Sequence, residues 1–298
     1  MSEKDLLIQK LGDADIDVTS VIQEMFLGYK FRKRNNQLYD STAQIPTQLI
    51  RIYYGLNPTD IDFNQMKKAF VRHYVINESK LEGINDEDIH GKEEIEGLAK
   101  MYEYIHSDEI EYMFNVYTLK ELHAKLYSTT KHPECAGNFR NWDVYLPGTG
   151  TEIAEWSLIR YKLNELDKEV QRLREKAALI RQVGTVDDML EYLDECVELK
   201  CHLIKVHPFG DGNGRTIRGF INKMLEDVGL PPIYIMSNER TEYHKAMNLA
   251  NNEGDYSEIK SFYRYKVCDS IIELDINDRI REGNKERRSD NEKVKIKG

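Results

Sequence analysis

Cysteine is scarce in this 298-residue chain. The four present, Cys135, Cys196, Cys201 and Cys268, are too few and too unevenly spaced for a disulfide framework. A reducing, cytoplasmic setting is the resulting expectation. Long apolar runs are missing as well: nothing approaches the ~18 consecutive apolar residues that a membrane span needs. The first thirteen residues are polar and acidic, without the apolar core of a secretory signal. Basic excess is also lacking, since 52 Asp and Glu outnumber 42 Lys and Arg and the net charge is −10. A general nucleic-acid binder needs basic surface to neutralise phosphates, so that class is disfavoured. Two local exceptions are short. Residues 29–34 read Y-K-F-R-K-R in surroundings that are not basic, and 279–298 hold eight Lys and Arg against four acids. The second reads as a solvated, disordered tail.

What is present is a globular composition, 40% hydrophobic and 32% charged, able to build a sizeable core. Apolar residues recur at helical steps almost throughout. Leu163, Leu166, Val170, Leu173 and Ala177 mark one long helix, and Leu190, Leu193, Val197, Cys201 and Ile204 a second. Ile217, Phe220, Ile221, Met224 and Val228 mark a third, ended by Gly229, Pro231 and Pro232. Residues 118–127 and 256–274 read as two more. The expected class is therefore all-α, with one exception. Residues 137–150, G-N-F-R-N-W-D-V-Y-L-P-G-T-G, carry Phe139, Trp142, Val144 and Tyr145 between glycines, which predicts a small β-hairpin flap. Ile45-Pro46 and Asn57-Pro58 are read as breaks in the N-terminal part. The expected organisation is a helical N-terminal region over 1–70, a main domain over 71–275 and the basic tail over 276–298.

The chemistry concentrates in residues 207–218, H-P-F-G-D-G-N-G-R-T-I-R, between two helical segments. Pro208 disfavours helix at His207, so the imidazole belongs where the first helix ends. Three glycines in five residues let successive N–H groups face one concave side. The next helix, expected to begin near Arg215, adds its unpaired N–H groups and positive dipole end to that anion site. Arg215 and Arg218, three apart, share a face of its first turn. The pattern describes a cradle for a polyphosphate. Asp211 beside it suits Mg²⁺, which takes one or two carboxylates and keeps phosphate oxygens and water. His207 is the group in the loop whose ordinary pKa fits a general base near neutrality.

Other motifs fail on particular letters. A Walker loop needs Lys after the last glycine, where Arg215 stands. An EF-hand loop opening at Asp211 meets Arg215 and Asn222 at ligand positions. A dinucleotide fingerprint lacks its last glycine. Cys196, Cys201, His202 and His207 cluster in sequence, but steps of five on a helix point the cysteines apart, against a zinc site. D-G-N-G alone is an ordinary turn, and a lone histidine often only satisfies a helix end. The combination of His, Asp, three Gly, Asn and two Arg at fixed offsets is what points to function.

This segment resembles the signature of the Fic family, H-x-F-x-D/E-G-N-G-R-x-x-R, at every defined position. The similarity extends over roughly residues 74–274 and includes a 243–255 segment of the "Y…A…GD" kind. The resemblance implies an all-α Fic fold with the 137–150 hairpin as a flap that docks a target protein by strand addition. It further implies transfer of AMP from ATP, with Mg²⁺, to a Tyr, Ser or Thr hydroxyl of that target, or of the chain itself. His207 would be the base, Asp211 the metal ligand, and Gly212, Asn213 and Gly214 the anion hole for the α- and β-phosphates. Arg215 would hold the β-phosphate and Arg218 the γ-phosphate; Phe209 reads as a packing anchor.

Upstream, E-S-K-L-E-G over 78–83 resembles the family's inhibitory motif S/T-x-x-x-E-G/N, with Glu78 standing at the Ser/Thr position. The resemblance implies that Glu82 pairs with Arg218 and blocks the γ-phosphate. Another nucleotide donor, or removal of AMP with Glu82 aligning a water, uses the same residues and stays open. A kinase variant would carry Lys in place of Gly214, and a non-catalytic module would not need His207.

Overall fold

The computed structural model describes residues 43–56, 63–84, 87, 89–110, 114–131, 133–146 and 148–276. The 29–34 segment, the Asn57-Pro58 break and the basic tail beyond 276 lie outside them. In order, the helices are α1 (Gln44–Leu56), α2 (Phe63–Glu82), α3 (Ile89–Ile105), α4 (Thr118–Tyr127), α5 (Ile159–Val183), α6 (Val186–Val206), α7 (Asn213–Asp227), α8 (Arg240–Glu253) and α9 (Ser257–Ser270). A π-helical turn, Ile271–Ile276, continues α9.

The apolar stripes read from sequence face the interior. Leu163, Val170, Leu173 and Ala177 of α5 and Leu190, Leu193, Val197 and Cys201 of α6 are buried against one another. Thr185 caps α6: its Oγ1 accepts from the Asp188 N–H while the Asp188 carboxylate accepts from the Thr185 N–H at 2.6 Å. This capping box satisfies two orphan donors at once. Thirteen of the fifteen residues of α7 are buried, polar ones included, so this helix is the centre of the bundle. Asn222 in its middle holds the Ile233 backbone through two bonds of 2.9 Å. At its C-terminus the Gly229 N–H donates to Glu226 and the Leu230 N–H to Leu225, a Schellman closure. Helices α3, α4, α5 and α6 surround it.

Two expectations are corrected. Pro46 does not break the chain but sits in the first turn of α1, where its missing N–H would have had no helical partner anyway. The 137–150 hairpin is not formed; none of the described residues is in a strand. The backbone groups of this segment bond elsewhere. The Arg140 N–H donates to Pro208 at 3.0 Å, and the Ala154 N–H donates to Lys205 at 2.9 Å. Thr149 O accepts from the Asn252 side chain of α8 at 2.7 Å. With these groups committed to Pro208, the end of α6 and α8, the segment is an extended loop laid over the bundle.

Candidate active site

His207 is the C-cap of α6, with φ 47° and ψ 62°, the left-handed conformation that a non-glycine residue rarely takes. Such a conformation costs about 1–3 kcal/mol and persists only where the surroundings over-determine it. Here they do. The buried Arg140 guanidinium donates to the His207 carbonyl at 2.8 Å, to Val206 at 3.3 Å and to Trp142 at 2.7 Å, and also to Ala154. One side chain thus satisfies the end of α6 and straps the 137–154 loop across it. Burial, with Arg140 adding to it, holds the His207 imidazole below its ordinary pKa despite the nearby Ile204 carbonyl and Asp211. The ring is therefore neutral at pH 7. Its Nδ1 is sealed from solvent without a well-formed hydrogen bond. Proton exchange with an incoming group is left to Nε2.

The loop after His207 closes on itself. Asn213 Oδ1 accepts from the Phe209 N–H at 2.9 Å and its Nδ2 donates to the Phe209 carbonyl at 2.8 Å. The helix begins at Asn213, two residues before Arg215, because this clasp ends the loop there. Phe209 is buried and stacks on His123 of α4, ring centres 3.9 Å apart. His123 Nδ1 accepts from the Gly137 N–H at 2.9 Å, so its proton is on Nε2, which faces the Asp211 carbonyl at 3.1 Å. Gly212 has φ 71°, and a Cβ there would lie 2.6 Å from the Tyr127 ring, so only glycine fits.

Asp211 and Arg215 share Tyr127 of α4. The Tyr127 hydroxyl donates to Asp211 Oδ2 at 2.7 Å and accepts from Arg215 Nη2 at 3.1 Å. Partial burial raises the Asp211 pKa, but that hydroxyl, Arg215 and the Gly212 N–H outweigh it and hold the carboxyl below its ordinary range. The Asp211 side chain is 79% exposed, whereas that of Arg215 is 5% exposed and also paired with Glu94 of α3. Arg218 is buried and faces two carboxylates of α2, Glu78 at 2.6 Å and Glu82 at 2.5 Å. Gly214 lies beside them: a Cβ there would be 2.9 Å from Arg218 Nη1 and 3.4 Å from Glu82 Oε1.

The structure thus brings His207, Asp211, Gly212, Asn213, Gly214, Arg215, Arg218 and Glu82 into one locality, and adds Glu78, Glu94, His123, Tyr127 and Arg140. Four carboxylates surround two guanidiniums, so in this state the cradle is not yet electropositive. An exposed carboxylate beside a glycine nest is of the kind Mg²⁺ takes, and Asp211 is the residue that would hold it. Residues 113–225 match the profile described as the Fic/DOC family.

This stretch is a Fic/DOC domain. Among curated relatives, "Protein adenylyltransferase Fic" of Drosophila mojavensis is 26% identical over 261 residues, 84% of this chain and 46% of that protein. The protein of the same name from Nematostella vectensis is 25% identical over 207 residues, 69% of this chain and 43% of its own length. The chain therefore spans less than half the length of these relatives. Among solved structures, a Fic domain containing signaling protein from Bacteroides thetaiotaomicron superposes with a TM-score of 0.61 at 16% identity, over 78% of this chain and 97% of that one. That likeness speaks for the fold. In the Fic/DOC domain itself, the matched stretch holds His207, Arg215 and Arg218, while Glu78, Glu82 and Glu94 come from helices before it.

Of the added residues, Arg140, His123 and Tyr127 reach the loop from 67 to 88 positions away. No periodicity or spacing could have linked them to it. Glu78 was visible in the sequence as the departure at the Ser/Thr position.

Among the described residues, no helix is long and apolar enough to cross a membrane.

Proposed function

We propose that the chain is a protein adenylyltransferase that moves AMP from ATP onto a Tyr, Ser or Thr hydroxyl of a target protein, restrained by Glu82 through Arg218. The observation that carries the reading is His207: a neutral imidazole, its Nδ1 buried, fixed in a left-handed cap at the mouth of a glycine-built anion nest. Nε2 takes the proton of the incoming hydroxyl, whose oxygen attacks the α-phosphorus. The bond from that phosphorus to the bridging oxygen breaks, and pyrophosphate leaves with the bonding pair. N–H groups at the start of α7 and Arg215 stabilise the charge that develops on the phosphates. Mg²⁺ held by Asp211 would supply further neutralisation of those oxygens. Glu82, paired to Arg218 and close to Gly214, occupies the ground a terminal phosphate would need, which supports restraint of the resting site.

The test is incubation with Mg²⁺ and ATP labelled at the α- or the γ-phosphate, with and without a cell lysate. Covalent label is expected from the α-position only. It falls about 10²-fold or more in His207→Ala, the usual scale for losing a general base, and rises in Glu82→Gly. Label from the γ-position would mean phosphoryl transfer instead. No label in any variant would shift the reading to another donor or to removal of AMP.

A further inference from the structure

Arg218 has more counter-charge than one restraining glutamate supplies. Glu78 takes the Nε–Nη2 edge of the guanidinium, its two oxygens accepting from Nε at 2.9 Å each and Oε2 accepting from Nη2 at 2.6 Å. Glu82 accepts from the same Nη2. The two acids sit in different mechanical settings. Glu82 is the last residue of α2, 34% exposed, with Gly83 following at φ 75°. The backbone there is closed, the Gly83 N–H donating to Lys80 at 3.2 Å and the Ile84 N–H to Ser79 at 2.9 Å, so only the part-exposed Glu82 side chain is free to move. Glu78 is one turn earlier, with a fully buried side chain, on a helix anchored in the core by Tyr74 and Leu81. The Glu82 side chain has solvent to swing into while α2 stays in place; the Glu78 side chain has none.

We infer that Glu78 sets the donor preference of the nucleotide site: by pairing with Arg218 from inside the core, it leaves the terminal-phosphate subsite without net positive charge, so that a nucleoside diphosphate unit is bound about as well as a triphosphate. The inference rests on reading the loop as a nucleotide site. Its electrostatics are direct. Once Glu82 has withdrawn, a terminal phosphate meets Arg218 as half of a neutral pair. It also meets the Glu78 charge on the far side of the guanidinium. A Ser or Thr at position 78, the residue type of the related inhibitory pattern, would leave the full cation for the phosphate. A charge-assisted contact of that kind is worth about tenfold or more in affinity.

The test is calorimetric binding of ATP and of ADP, each with Mg²⁺, to the full chain as Glu82→Gly, Glu78→Gln/Glu82→Gly and Glu78→Ser/Glu82→Gly. In Glu82→Gly the two affinities are expected within about threefold of each other. In both double variants ATP binding tightens about tenfold while ADP binding moves little. A purely structural effect of position 78 would weaken both nucleotides together and leave their ratio alone. An ATP preference above about tenfold in Glu82→Gly, or an unchanged ratio in the double variants, overturns the inference. Because burying Arg218 without a carboxylate threatens folding, Glu82→Gly alone decides if the double variants do not fold. Absence of any nucleotide binding to Glu82→Gly would overturn the reading of the loop itself, and this inference with it.

Discussion

Two loops meet at His207, and a different side chain dominates the hold on each. The loop after it is closed by its own residues, Asn213 clasping Phe209 four positions away. The 137–154 loop bonds to itself as well, but Arg140 also ties it to carbonyls at the end of α6 some 67 residues distant. A self-clasped loop carries its shape with it. A strapped loop has a shape only while the helix end beneath it is intact, and that helix end depends equally on the strap. Both therefore act on His207, one chiefly through the Asn213 clasp beside it and one through Arg140.

The widest gap between the two should appear in Arg140→Met. Four backbone carbonyls lose a buried cationic donor, so chemical denaturation should report a loss of about 3–5 kcal/mol, with the 137–154 loop opening to proteolysis. Resistance of that loop to proteolysis in the variant would break the distinction. Next comes pH. Burial holds His123 at about 4, below its ordinary 6.5, although the Asp211 carbonyl works the other way. The unfolded chain takes up a proton between those values that the folded chain refuses. Stability is full above pH 6.5 and falls as the pH drops towards 4, by about 3 kcal/mol. Urea unfolding at pH 7.5 and 4.5 should show this difference shrinking in His123→Gln.

Asn213→Ala should cost about 2 kcal/mol, the worth of two buried bonds, while leaving the 137–154 loop protected from protease. Protease sensitivity there would mean the loops are one unit. The smallest effect belongs to Tyr127→Phe, about 1 kcal/mol. Without that hydroxyl the Asp211 carboxyl titrates at higher pH, which NMR titration of its side chain can follow.

The signature loop was legible because its letters fall between two strongly periodic helices, and Pro208 marked where the first must end. The roles inside it were less so. The position of Asn213 suggests the anion hole, but nothing in the sequence shows that its side chain also clasps the Phe209 backbone. The hairpin misreading has a physical source: Phe139, Trp142, Val144 and Tyr145 favour strand only where a neighbouring strand and a packed face exist. Here Phe139 packs on Phe209, while Trp142 and Tyr145 are exposed at 52% and 82%. Nothing local announces that an arginine between them will satisfy a helix end instead.

A helix buried on every side, as α7 is, can neither turn nor slide without disrupting the bundle. Arg215 and Arg218 are therefore fixed fittings. Their carboxylate partners come to them from α2 and α3, whose Glu78, Glu82 and Glu94 precede the matched Fic/DOC segment. The guanidiniums and the acids that pair with them are thereby written in separate stretches of the chain, so the acids can change while the loop is left as it is.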